Sequence, residues 1–157
     1  MAATRALPAS SHVIAGARGV RTLAFGTEKE TVWERSDFPK EKIAAILGKD
    51  TLAMLGYGTQ GRGQALNARD NGMKVIVGLR EGGASWKEAE KDGWIPGKTL
   101  LPIVEAAKRG TVVMYLLSDA GQKEMWGEIK PTLTKGKTLY FAHGFSIAFK
   151  VRGAAGR

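Results

Sequence analysis

Three glycines carry the most specific chemistry in this chain. Residues 51–61 read TLAMLGYGTQG, an apolar run that ends in Gly56-x-Gly58-x-x-Gly61. A strand entering such a turn delivers a pyrophosphate to a helix start, where unpaired backbone N–H groups and the positive end of the helix dipole stabilise it. Gly56 allows the sharp turn, Gly58 lets the backbone approach the phosphates, and Gly61 lets helix pack on strand. In a chain of 21 glycines the spacing alone is weak, and an ordinary tight turn is the alternative. Context strengthens it. Leu52-Ala53-Met54-Leu55 is short and apolar, residues 64–71 contain neither Pro nor Gly and stop at Asn71-Gly72, and Val75-Ile76-Val77 is a β-branched run suited to a buried strand.

In a doubly wound sheet, ligands sit beyond the carboxyl ends of the strands, so the residues after each expected strand come next. They are Leu79-Arg80, Ser118-Asp119 and Ala142-His143. About 20 residues past the glycines an NAD site places an acid for the ribose 2′-hydroxyl; this chain has Arg80 there. A guanidinium offers a planar fork to a phosphate and accepts no hydrogen bond, which points to NADP(H) rather than NAD. The alternative for Arg80 is a solvated surface charge. Ser85 could donate to the same 2′-phosphate or cap a helix, and one position can do both. His143, one of 2 histidines beside His12, could titrate near neutral pH or hydrogen-bond a substrate or nicotinamide, or be a buried structural histidine. Asp119 is open between helix cap and ribose contact.

The elements that must position these residues follow from the pattern. A helix is expected from Ser36-Asp37-Phe38-Pro39, with Ile43, Ile46 and Leu47 on one face beside the first strand. Ser85-Trp86-Lys87-Glu88 has the form of a capping box opening a helix to Asp92. Trp94-Ile95-Pro96-Gly97 is a turn, residues 102–109 a short helix, and residues 111–117 (TVVMYLL) a buried strand. Asp119, with Gln122 three residues on, resembles an N-cap to a helix over 120–130, and residues 138–141 form the next strand. The order β, α, β, α, α, β, α, β is an α/β fold, a Rossmann-like doubly wound parallel sheet.

At 157 residues, 43% hydrophobic and 25% charged, the chain has room for one domain with a core. No apolar stretch approaches the roughly 20 residues of a membrane helix. Without cysteine there is neither disulfide nor thiolate metal site. The net charge of +9 has no basic block with interleaved aromatics, so neither nucleic acid nor membrane is an expected partner. Residues 1–21 are rich in Ala, Ser and Arg and free of acids, the composition of an organellar transit peptide or a disordered tail. Residues 28–35 are charged, with Val32 and Trp33 expected to anchor onto the domain.

The stretches Leu55-Gly56-Tyr57-Gly58-Thr59-Gln60-Gly61, Val75-Ile76-Val77-Gly78-Leu79-Arg80, Gly83-Ala84-Ser85-Trp86, Asp92-Gly93-Trp94 and Phe141-Ala142-His143-Gly144-Phe145 resemble ketol-acid reductoisomerase, also called acetohydroxy-acid reductoisomerase, most of all its fungal mitochondrial branch. The resemblance covers roughly residues 22–150. It implies an NADPH- and magnesium-dependent step of valine and isoleucine synthesis, in which an alkyl group of a small acetohydroxy acid such as 2-acetolactate migrates and the keto acid is reduced to a 2,3-dihydroxy acid. Carried over, Gly56, Tyr57, Gly58, Thr59, Gln60 and Gly61 would cradle the pyrophosphate and Arg80 with Ser85 the 2′-phosphate. Asp119, Ala120, Gly121 and Gln122 would line the nicotinamide side, and His143 would be the active-site histidine. The family also implies a homo-oligomer, in the mitochondrial matrix or, alternatively, a plastid.

Two departures stand out. Thr59 and Arg62 replace the family's usual serine and histidine. The family's helical second domain, which supplies the magnesium carboxylates, has no counterpart here, so residues 151–157 are expected to be a truncated tail, no metal ligand is assigned, and the chain alone is expected to bind NADPH without turnover.

Overall fold

The computed structural model describes residues 21–149. The expected leader 1–21 lies outside them except for Arg21, which the structure places in a strand instead, and so do Lys150 and the tail 151–157. The chain divides into two compact units, Met1–Pro39 and Lys40–Arg157.

In the first unit, strands β1 (Arg21–Phe25) and β2 (Glu28–Val32) form an antiparallel hairpin for which the sequence reading had no strands. Phe25 pairs with Glu28, so the loop is two residues, and Gly26 at φ 65° takes the left-handed conformation that such turns require. A single 3-10 turn follows at Arg35–Asp37. There the expected helix start has become a separate turn, with Trp33 and Phe38 rings 5.5 Å apart and Arg21 paired to Glu34 at 2.7 Å.

In the second unit, helix α1 (Lys40–Leu47) starts directly after Pro39. Its expected apolar face is only partly covered: Ile43 and Leu47 are half-buried and Ile46 is exposed. From there the chain alternates strictly. Strand β3 (Thr51–Leu55), helix α2 (Thr59–Asp70), β4 (Lys74–Leu79), α3 (Ala84–Lys91), β5 (Leu100–Pro102), α4 (Ile103–Arg109), β6 (Val112–Tyr115), α5 (Asp119–Ile129) and β7 (Thr138–Tyr140) follow in order, with a last short helix α6 (Phe145–Ala148). All pairings are parallel and the sheet order is β5-β4-β3-β6-β7. Numbered within the sheet that is 3-2-1-4-5, the dinucleotide-binding order, with its switch point between β3 and β6.

Strand β5 escaped the sequence reading, which left two successive helices without a strand between them. Three residues ending in a proline carry no alternation to read, and a proline is tolerated there because β5 is an edge strand. With β5 in place, each of the helices α2 to α5 is a crossover between parallel strands.

The core is two layers, one per sheet face. Leu52 and Met54 of β3 lie with Val75, Val77 and Leu79 of β4 and Met114 of β6 under Ala65 of α2 and Trp86 and Ala89 of α3. Ala53 and Leu55 lie with Ile76, Val113 and Tyr115 under Ala106 and Ala107 of α4 and Ile129 of α5. Strands buried on both faces explain why they read as continuous apolar runs. Side chains such as Leu55 and Val77, fully buried, are each worth about 2 kcal/mol of transfer free energy.

Candidate functional site

The carboxyl ends of β3, β4 and β6 open into a cleft of about 380 Å³, lined by Gly56, Tyr57 and Gly58, by Leu79 and Arg80, by Gly83, Ala84 and Ser85, and by residues 116–118 with Gly121. Gly56 has φ 107°, and a Cβ there would lie 2.8 Å from the Leu116 carbonyl oxygen. A Cβ on Gly61 would lie 2.2 Å from the Gly56 carbonyl oxygen, so helix start and turn touch through their backbones. A Cβ on Gly58 would meet nothing within 4 Å. Two of the glycines are therefore filled by the protein itself, and the middle one faces free space.

The helix starts around the cleft differ in kind. Helices α2 and α3 begin at Gly58 and Gly83, neither with a side-chain cap and neither with an acid in its first turn. Helix α5 is capped by Ser118, whose hydroxyl accepts from the Gly121 N–H at 3.2 Å, and has Asp119 in its first turn; α1 and α4 also carry an acid there. Uncapped N–H groups with no neighbouring carboxylate favour an anion. Both of these starts, at Gly58 and Gly83, open on the cleft. Arg80, its side chain 82% exposed, stands between them with Glu124 of α5 4.0 Å away.

These observations correct two expected caps. The capping box at Ser85 does not form: Gly83 is the N-cap and Ser85 is an exposed residue of the first turn, which frees its hydroxyl for the cleft. Ser118, not Asp119, caps α5, because its shorter side chain already reaches the Gly121 N–H.

Tyr57 lies in the turn with its ring 6% exposed. Its hydroxyl donates to Asp92 at 2.8 Å and accepts from the Trp94 indole N–H at 2.6 Å. Burial, then the bond to Asp92, push its pKa up to about 12. Arg62 grips the same carboxylate with two bonds, at 2.7 and 2.8 Å, and holds Asp92 down at about 2. Arg62, which stands where the family has a histidine, is thus committed to Asp92.

At the far side, His143 is exposed after β7, its Nε2 3.8 Å from Asp119 Oδ1. The Phe145 N–H donates to His143 Nδ1 at 3.3 Å, which leaves the neutral ring's proton on Nε2, facing Asp119. Gln122 is buried: its amide donates to the Leu117 carbonyl at 2.9 Å and its oxygen accepts from Ser146 at 2.7 Å, tying α5 to α6. Of the residues singled out in the sequence, Gly56, Tyr57, Gly58, Arg80, Ser85 and Gly121 line one cleft. Thr59, Gln60 and Ala120 sit exposed at its helix starts, Gly61 packs beneath the turn, and Asp119, Gln122 and His143 form a separate group beside it. The sequence reading missed Ile103, Glu124 and Met125, which also line the cleft. Gly121, Glu124 and Met125 share a helix face at i, i+3 and i+4, a spacing that would have found the last two.

The comparisons with known proteins agree with this geometry. The family described as "Acetohydroxy acid isomeroreductase, NADPH-binding domain" matches residues 46–154. The chain is 61% identical over 133 residues to the probable mitochondrial ketol-acid reductoisomerase of Schizosaccharomyces pombe, covering 85% of this chain and 33% of that protein. It is 59% identical, with the same coverage, to the mitochondrial ketol-acid reductoisomerase of Neurospora crassa. The solved structure of an NADH-preferring ketol-acid reductoisomerase from an uncultured archean superposes with a TM-score of 0.61 at 42% identity, covering 68% of this chain and 33% of that one. The chain spans about a third of the length of the curated relatives it matches. With the parallel sheet, the glycine turn at its switch point and these matches together, the chain belongs to the acetohydroxy acid isomeroreductase family and carries that family's NADPH-binding domain.

Proposed function

We propose that this chain supplies the NADPH site of a mitochondrial ketol-acid reductoisomerase, converting small acetohydroxy acids such as 2-acetolactate to 2,3-dihydroxy acids for valine and isoleucine synthesis. The observation that carries the reading is the pair of uncapped, acid-free helix starts at Gly58 and Gly83 with Arg80 beside them. The start of α2, with Thr59 and Gln60, takes the pyrophosphate, and Arg80 and Ser85 at α3 take the 2′-phosphate. Bound NADPH supplies the hydride that reduces the keto acid. Asp119, Ala120 and Gly121 border the nicotinamide end. His143 stands at that end as the active-site histidine, its Nε2 turned toward Asp119.

Relatives named mitochondrial support the matrix as the location, with the plastid as alternative; a homo-oligomeric whole enzyme belongs to the same proposal. Magnesium does not fit what is described: among the described residues no three His, Asp or Glu side chains converge on a point. That observation favours a second reading, in which this chain alone binds nucleotide without turnover.

Titration of the chain with NADPH and NADH, followed by tryptophan fluorescence, tests the site. Tighter binding of NADPH is expected, and equal affinity would remove the role given to Arg80. NADPH oxidation with 2-acetolactate and excess magnesium separates the two readings, since turnover by this chain excludes the second.

A further inference from the structure

Beside the cleft, and joined to its lining only through Tyr57, lies a group of side chains that the proposed chemistry does not use. The Asp92-Gly93-Trp94 corner, which ends α3, is gripped by three side chains from the glycine turn and the helix after it. Tyr57 binds the Asp92 carboxylate and the Trp94 indole. Arg62 binds both carboxylate oxygens. Arg69 donates to the Asp92 carbonyl at 2.8 Å and lies 4.7 Å from the centre of the Trp94 ring. Glu88 of α3 adds an opposite charge 3.7 Å from Arg62. Tyr57 is flanked by Gly56 and Gly58, the two residues that give this turn the greatest freedom to move when it is not held.

We propose that Asp92 is a positioning residue for the nucleotide: by fixing Tyr57 and Arg62 it holds the glycine turn and the first turn of α2 in their binding geometry before a pyrophosphate arrives. This rests on reading the cleft as a nucleotide site. The physical reason is conformational entropy. A Gly-Tyr-Gly turn left free must be ordered at the moment of binding, and that cost comes directly out of the affinity, whereas a turn already tied to a rigid corner has none left to lose. Arg62 serves the same end. Its fork lies on Asp92 and across the gap between α2 and α3, so it braces the helix start and leaves the phosphate to the N–H groups there.

The prediction separates positioning from mere stabilisation because the cleft has two anion positions and only one depends on the turn. The full chain is titrated by calorimetry with three probes. NADP+ carries both the pyrophosphate and the 2′-phosphate, ADP-ribose only the pyrophosphate, and adenosine 2′-monophosphate only the 2′-phosphate. In Asp92→Asn and in Tyr57→Phe, NADP+ and ADP-ribose are expected to weaken roughly tenfold while adenosine 2′-monophosphate keeps its affinity. Asp92→Glu, which retains the carboxylate, is expected to recover part of the loss. Tyr57→Phe removes a single oxygen from a buried ring and keeps the test available if Asp92→Asn does not fold. Equal weakening of all three probes, or no weakening of the two pyrophosphate probes, would overturn the positioning role. If the unaltered chain binds none of them, the nucleotide site itself fails, and the positioning role with it.

Discussion

The start of α2 and the start of α5 are both helix N-termini at carboxyl ends of neighbouring strands, and they are finished in opposite ways. Helix α5 closes itself with the Ser118 hydroxyl, carries Asp119 in its first turn, and is pinned behind by Gln122 and Ser146. Helix α2 has a glycine cap, no acid in its first turn, and a backbone so close to the preceding turn that a Cβ on Gly61 has no room. The rigidity of α2 comes from elsewhere, through Tyr57, Arg62 and Asp92. Where the protein supplies its own cap, the helix start is complete without a ligand; where it leaves the cap out, the anion becomes part of the structure. The same contrast separates α3 from α5, and it is the observation on which the two proposed anion positions rest.

The largest expected effect breaks the α2 side. Gly61→Val sets a side chain against the Gly56 carbonyl and is expected to cost about 3 kcal/mol in stability and to abolish NADPH binding, as read from thermal midpoint and titration. Arg80→Asp tests α3: it removes charge-assisted bonds worth about 1.5–3 kcal/mol, roughly 10- to 150-fold in NADPH affinity, with NADH little changed. A loss shared equally by the two nucleotides would mean that Arg80 acts on something other than the 2′-phosphate.

A smaller effect lies in the pH dependence of the brace. Tyr57 keeps its proton in the folded chain to about pH 12 against 10.0 ordinarily. Its contribution to stability is therefore complete below pH 10 and lost as pH rises through about 12. Asp92 is held at about 2 against 3.8, so its contribution is present above about pH 4 and lost as pH falls through 2. The difference in tyrosinate absorbance between the unaltered chain and Tyr57→Phe should show one late-titrating phenol; a difference curve centred near pH 10 would contradict the buried bond. The smallest effect is expected on the α5 side. His143→Asn removes an exposed ring 3.8 Å from its nearest acid and should move the thermal midpoint and NADPH affinity by less than about 0.5 kcal/mol. A larger loss would show that this side, too, is built around the cofactor.

Much of this was legible in the sequence, for physical reasons. The strands are buried on both faces, so residues 52–55, 75–77 and 112–115 stood out as unbroken apolar runs, and the glycines announced themselves because each position tolerates no side chain or faces open space. The place of Arg80 on the cleft wall was readable because its distance from the glycines is set by one βαβ unit. Caps were not. Ser85 and Asp119 each have the residue type and spacing of a cap, but a side chain caps only from the N-cap position itself, where its own backbone is not yet helical, and in both cases an earlier residue took that position, Gly83 two places before Ser85 and Ser118 one place before Asp119. The brace around Asp92 was also beyond reach, since Tyr57 and Arg62 meet Asp92 only after α3 has folded back, separations of 35 and 30 residues.

The switch point has a consequence in time as well as in space. Strand β3 is hydrogen-bonded to β4 on one side and to β6 on the other, and its first residue is tied to Thr111 across 60 residues, by the Thr51 N–H donating to the Thr111 hydroxyl at 3.0 Å. A ribosome adding about 5–20 residues per second needs roughly 3–12 s to make that stretch. During that interval β3, β4 and β5 can pair while β3 presents a bare, apolar edge, and the glycine turn lacks its wall at Leu116 and Leu117. The strand that carries the binding turn is thus made well before the strand that closes its second edge.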